Sequence, residues 1–202
     1  MFKRQTTGSL ICPSCGVLVG VDDDTCYNCN RTNPGLWGFG RYLQALGQDF
    51  GFVPFVIGTC VFVYILTLVF SGSSISTGGF FSMFGPSNEA LFLFGASGAI
   101  PVFALDRWWT VLSATWLHGG LLHILFNMMW IRQLAPATST EYGIGRTVII
   151  YTTSSITGFL MSSLSGTDFT VGASAPIFGL LGALVYAGKR GSSAIERQAW
   201  GY

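Results

Sequence analysis

Four cysteines near the N-terminus occupy two C-x-x-C pairs, Cys12/Cys15 and Cys26/Cys29, in "CPSCGVLVGVDDDTCYNC". Each pair suits a knuckle whose backbone N–H groups point at thiolate sulfurs, with Gly16 and Asn30 placed where a left-handed residue is wanted. Four thiolates around one tetrahedral ion is the chemistry this predicts, and zinc is the expected metal. Two disulfides or free thiols are the competing readings, which a reducing cytosol disfavours. Iron stays open, because an S₄ cage suits both metals. A segment this short cannot bury a core of its own, so the metal is expected to replace the core and to be structural.

A second set of reactive groups lies far downstream. "WLHGGLLHILFNMMW" holds both histidines of the chain, His118 and His123, together with Asn127. His123 and Asn127 are four apart, so a helix stacks them on one face. One polar side chain in an apolar helix is ordinarily interhelical glue worth about 1 kcal/mol; an imidazole and an amide on one face point instead to an inward-facing site. The chain also spells Gly-Ala-Ser twice, at Gly95-Ala96-Ser97 and Gly172-Ala173-Ser174. Ser174 is followed by "APIFGLLGALVYAG", with Pro176 tolerated in a first helical turn, which puts this serine at a helix N-terminus whose free N–H groups can stabilise an oxyanion. Ser97 is followed by Gly98, Pro101 and Asp106-Arg107 and reads as part of a Gly/Ser-rich loop.

The elements that must position these groups are apolar. Half of the 202 residues are hydrophobic and 9% are charged, against about 25% charged in soluble domains. No charged residue occurs between Asp49 and Glu89, and Phe52 to Phe70 within that gap is long enough to cross a hydrocarbon core of about 30 Å. Further spans are expected over Trp108 to Ile131, Thr147 to about Ser165, and about Ser174 to Gly188. "MFKRQTTGSLICPSCG" lacks the apolar core of a secretory signal, so the N-terminus is expected in the cytosol. Alternating spans then put Lys3, Arg4, Arg31, Arg41, Arg132, Arg146, Lys189, Arg190 and Arg197 inside and Arg107 alone outside, as the positive-inside bias requires.

These readings combine into an all-α polytopic transmembrane bundle of about four spans behind a small four-cysteine zinc ribbon. The expected domains are the ribbon over 1–33, a linker or interfacial helix over 34–51 and a transmembrane domain over 52–202. Leu36, Phe39, Leu43 and Leu46, with Trp37 and Tyr42, have the spacing of an interfacial helix. Stripes of small residues, Ser154/Gly158/Ser162 and Ala175/Gly179/Ala183, are expected to let two helices approach closely. Cys60 reads as an apolar filler. Asp22-Asp23-Asp24 and a net charge of +1 exclude a nucleic-acid partner for the ribbon.

"HGGLLHILFNM" followed by "GASAPIFGLLGA" resembles the rhomboid intramembrane serine proteases, as do "DRWWTVLSATWLHGG" and Glu141 with Gly145. The resemblance runs from about Phe52 onward. It implies Ser174 as nucleophile, His123 and Asn127 lining an oxyanion hole with the Ser174 N–H, and His118 positioning the outer loop. Catalysis of this kind takes no cofactor. The implied setting is a multi-pass protein of the plasma (inner) membrane acting on transmembrane protein substrates. The chain departs from the family at Ala175, where glycine is usual, and in having no histidine after His123, since the family's general base lies on a sixth helix. "GKRGSSAIERQAWGY" therefore reads as a loop cut before another helix. A rhomboid-like protein that binds membrane clients without catalysis is the alternative; a transporter is disfavoured because no acidic residue lies within the expected spans.

Overall fold

In a computed structural model of the chain, residues 4–40, 49, 51–77, 79 and 83–190 are described. An antiparallel hairpin, β1 (Ser9–Ile11) and β2 (Leu18–Gly20), opens the chain. Its period-2 alternation buries Leu10 and Val19 on one face, where they join Cys12, Val21 and Cys26, and leaves Ile11 and Leu18 exposed on the other. A 3₁₀ turn follows at Leu36–Gly38. Leu36 and Trp37 there have positive φ, of 51° and 54°, so the apolar spacing seen from Leu36 does not begin a regular helix. Tyr42, Leu43 and Leu46 lie outside the described residues.

The remainder is helical: α1 (Phe52–Ser71), α2 (Asn88–Leu93), α3 (Thr110–Ser113), α4 (Leu121–Tyr142), α5 (Ile144–Leu164) and α6 (Ser174–Arg190). The Asp49 carboxylate accepts from the Val53 N–H at 2.6 Å and caps α1, where a negative group also opposes the helix dipole. One core unites α1, α4, α5 and α6 through Val56, Cys60, Ile131, Tyr151, Ile177 and Leu180. Cys60 is fully buried there.

Hydroxyl groups inside the helices bond to their own backbone one turn back. Ser71 donates to Thr67 O, Thr138 to Leu134 O and Ser163 to Phe159 O, at 2.6–2.8 Å. Such bonds satisfy polar groups without water, as an apolar surrounding demands. Among the described residues two helices, over Phe52–Ser74 and Ile144–Leu164, are long and apolar enough to cross a membrane.

The second expected span is displaced. Trp108 to Gly120 is not one helix but α3, a 3₁₀ turn at Ala114–Trp116 and an extended link. Helix α4 starts only after Gly119-Gly120 and then runs through Arg132 and Pro136 to Tyr142. Two adjacent glycines stop propagation from the preceding turns. Arg132 does not end the helix because it projects from an exposed position, where its long stem can carry the charge away from the core.

The small-residue stripes pack α5 against α6. A Cβ built on Gly158 would come within 2.5 Å of the Ala175 Cβ, and one on Gly179 would overlap the Ser154 side chain. Ala175 thus seats on a glycine of the neighbouring helix, which removes the steric objection to alanine at this position.

Candidate active site and metal centre

Both knuckles of the ribbon have the same backbone design. Gly16 N–H donates to Cys12 O and Asn30 N–H to Cys26 O, at 3.0 and 2.9 Å, while Cys12 N–H and Cys26 N–H reach Val17 O and Arg31 O. Gly16 and Asn30 close these turns with φ of 74° and 55°. All four Sγ atoms lie within 4.8 Å of one another, with Cys12–Cys29 at 3.8 Å and Cys15–Cys26 at 3.6 Å. Tetrahedral zinc–thiolate bonds of about 2.3 Å set neighbouring sulfurs about 3.8 Å apart, so the cage fits a metal ion.

The electrostatics agree. Burial works to raise the Cys15 thiol, but the Val17 N–H, the Asn28 side chain and neighbouring thiols bring it down to about 6. The Arg31 N–H favours a Cys29 thiolate, yet burial and the other sulfurs push it up to about 12. Four thiolates this close need a cation between them.

At the opposite end of the bundle, a cleft of about 490 Å³ opens between α4 and α6. His123, Asn127 and Trp130 line it from α4, and Ser174, Ile177 and Phe178 from α6. The helical stacking of His123 over Asn127 is completed by the Asn127 amide, which donates one N–H to His123 O at 2.8 Å and keeps a second for the cleft. The Gly119 N–H donates to His123 Nδ1 at 3.4 Å. With Nδ1 accepting, the ring proton sits on Nε2.

That Nε2 edge lies against Gly172, two residues before Ser174. A Cβ on Gly172 would stand 2.6 Å from both Cε1 and Nε2 of His123, and the residue has φ of 123°. Gly172 is therefore the cradle that holds the imidazole beside the start of α6. Gly172→Ala is expected to destabilise the fold by about 1–3 kcal/mol through backbone strain and to turn the ring away, read as a lowered thermal midpoint in detergent.

Ser174 is the first residue of α6 and is open to the cleft. The Ile177 N–H reaches Ala173 O at 3.1 Å, so Ala173 caps the helix and the Ser174 and Ala175 N–H groups precede its first internal bond. The Pro176 ring, which has no N–H, costs nothing there. Ser174 N–H, His123 Nε2–H and the free Asn127 N–H are thus three donors around one cleft, suited to an oxyanion beside the serine hydroxyl.

The other copy of Gly-Ala-Ser is built differently. Ser97 is fully buried; its N–H donates to Thr170 O, its carbonyl accepts from Thr170 N–H, and its hydroxyl accepts from Thr110 at 3.3 Å. It is a junction pinning the loop before α3 to the loop before α6. His118 lies before α4 rather than on it, fully buried, with its ring edge-on to His123 at 5.3 Å. Neither of its nitrogens has a hydrogen-bond partner among the described residues.

Residues 105–201 match the family model described as the Rhomboid domain. The chain carries a rhomboid domain. It is 29% identical over 149 residues to RHOMBOID-like protein 4 of Arabidopsis thaliana, covering 66% of this chain and 38% of that protein. It is 34% identical over 128 residues to rhomboid protease GluP of Bacillus subtilis (63% and 24% of the two chains), and 30% identical over 125 residues to Rhomboid-like protease 3 of Toxoplasma gondii (61% and 43%). The chain thus spans less than half the length of these relatives. The rhomboid domain and its apolar helices make this an integral membrane protein, with a cysteine cluster that can hold a metal ion in front of the domain.

Two contributors to the cleft have no signature of their own: Gly119, which sets the His123 tautomer, and Gly172, which cradles the ring. Both lie inside motifs given above; the Gly119 role is local to the start of α4, whereas the Gly172 role depends on the approach of two segments far apart in sequence.

Proposed function

We propose that this chain supplies the nucleophile and the oxyanion donors of an intramembrane serine endopeptidase acting on transmembrane protein substrates. The shared cleft of Ser174, His123 and Asn127 supports the reading most directly. Ser174 Oγ attacks the scissile carbonyl, and the three N–H donors hold the resulting oxyanion. A serine hydroxyl also needs a base. His123 faces the cleft with Nε2–H, a donor, and His118 is sealed beneath it, so the base is assigned to a further helix of the complete protein, as in the family. Cleavage of a transmembrane reporter by such a complete protein, with the 202-residue chain inert, is the test; labelling of Ser174 in the short chain by a serine-directed phosphonate at the full rate would overturn the assignment of the base.

The domain limits proposed are 1–33, 34–51 and 52–202, and the metal proposed is structural zinc held by Cys12, Cys15, Cys26 and Cys29. Four spans with a cytosolic N-terminus in the plasma (inner) membrane place the cleft near the outer surface and the ribbon inside. Accessibility labelling is expected to place Ser14 and Ser87 on opposite sides. Equal accessibility of both positions from one side would remove this topology. Ser192 and the aromatic Trp200 and Tyr202 lie outside the described residues.

A further inference from the structure

At the cleft end of the bundle a second cavity, of about 630 Å³, is lined by Asn88, Glu89, Phe92, Leu93, Arg107 and Phe169. The Arg107 guanidinium lies 4.1 Å above the Phe92 ring and 4.8 Å from the Trp109 ring. These rings hold the cation in place but supply no acceptor. Its Nη1 is covered and has no hydrogen-bond partner among the described residues. A guanidinium N–H left this way is costly, and with no acceptor supplied by the protein the part of the guanidinium that lines the cavity is complementary to an oxyanion such as a tetrahedral phosphate.

Glu89 shares the cavity without pairing to Arg107. Its carboxyl is held below the usual range by its own backbone N–H and the Ser87 hydroxyl, in the first turn of α2, which Ser87 caps through the Ala90 N–H. The cavity therefore offers a free cation and a separate fixed carboxylate. Leu93 in its wall, with Leu105, Trp108 and Trp109 next to Arg107 in the chain, is exposed at 49–61%, an apolar collar with two indoles of the kind found at headgroup depth.

We propose that this cavity binds the headgroup of a zwitterionic phospholipid, with the phosphate on Arg107, the ammonium at Glu89 and an acyl chain along the collar. A phosphate alone would leave Glu89 as a repulsive neighbour, and an ammonium alone would leave Arg107 unpaired; a headgroup carrying both answers both.

The test uses the full chain, delipidated in detergent and incubated with equal amounts of phosphatidylethanolamine and phosphatidylglycerol, with retained lipid counted by native mass spectrometry. The expected result is one preferentially retained phosphatidylethanolamine per chain. Arg107→Gln should lower retention about tenfold, as loss of a charge-assisted hydrogen bond implies. Glu89→Gln, an exposed change that leaves packing alone, should keep lipid bound but bring the two lipids to equal retention. Unchanged retention in Arg107→Gln, or an unchanged preference in Glu89→Gln, overturns the proposal. Displacement of the lipid by millimolar inorganic phosphate overturns it in favour of a free-anion site.

Discussion

Ser174→Ala, in a protein completed by the base-bearing helix, is expected to abolish cleavage of a transmembrane substrate, with a loss of up to about 10⁶ in kcat where serine is the nucleophile. His123→Ala and Asn127→Ala are each expected to cost about 10²–10³ in kcat with little change in substrate binding, because an oxyanion donor acts chiefly in the transition state. Ser97→Ala provides the control. It removes the acceptor of the Thr110 hydroxyl and should cost about 1–2 kcal/mol of stability, leaving turnover per folded molecule nearly unchanged. Steady-state cleavage of a reporter in proteoliposomes, normalised to folded protein, separates these outcomes. Equal loss of turnover in Ser97→Ala and Ser174→Ala would overturn the choice between the two serines.

Stripping the metal from the ribbon is the second large effect expected. Purified, reduced protein should hold about one zinc per chain, as a four-thiolate cage requires, and elemental analysis finding no metal in folded protein would refute the site. A structural zinc supplies about 10–16 kcal/mol of apparent folding energy, far more than the small cluster of Leu10, Val19 and Val21 can replace. Cys26→Ser, at a fully buried ligand, or a strong chelator should therefore expose residues before Pro34 to protease. The membrane bundle should survive, since its core shares no residue with that of the ribbon. Limited proteolysis followed by mass analysis of the resistant fragment reads both halves of this expectation.

What was legible beforehand rests on short-range regularity. The C-x-x-C spacing anticipates the cage because each knuckle is closed by bonds within six residues. The interval between His123 and Asn127 anticipates a shared helix face because it spans about one helical turn. The small-residue stripes anticipate the contact of α5 with α6 for the same reason. The stretch from Trp108 to Gly120 was not legible as loop: its apolar content is set by burial under α5 and against the 91–96 turn, and composition does not distinguish a buried loop from a span. The two Gly-Ala-Ser strings show the same limit. Three identical letters are a sealed junction in one place and an open helix start in the other, and the difference lies in Thr170 and Thr110, distant in sequence from Ser97.

Gly143 links α4 to α5 with φ of 79°, and a Cβ there would stand 2.5 Å from the Ser14 carbonyl oxygen of the first knuckle. The metal module thus meets the turn main chain to main chain at Ser14, and at that point the fit is set by the outline of a knuckle. For protein engineering this is a socket. A foreign ribbon with unrelated surface residues but the same knuckle curvature should seat there, whereas a side chain at position 143 would refuse even the native one.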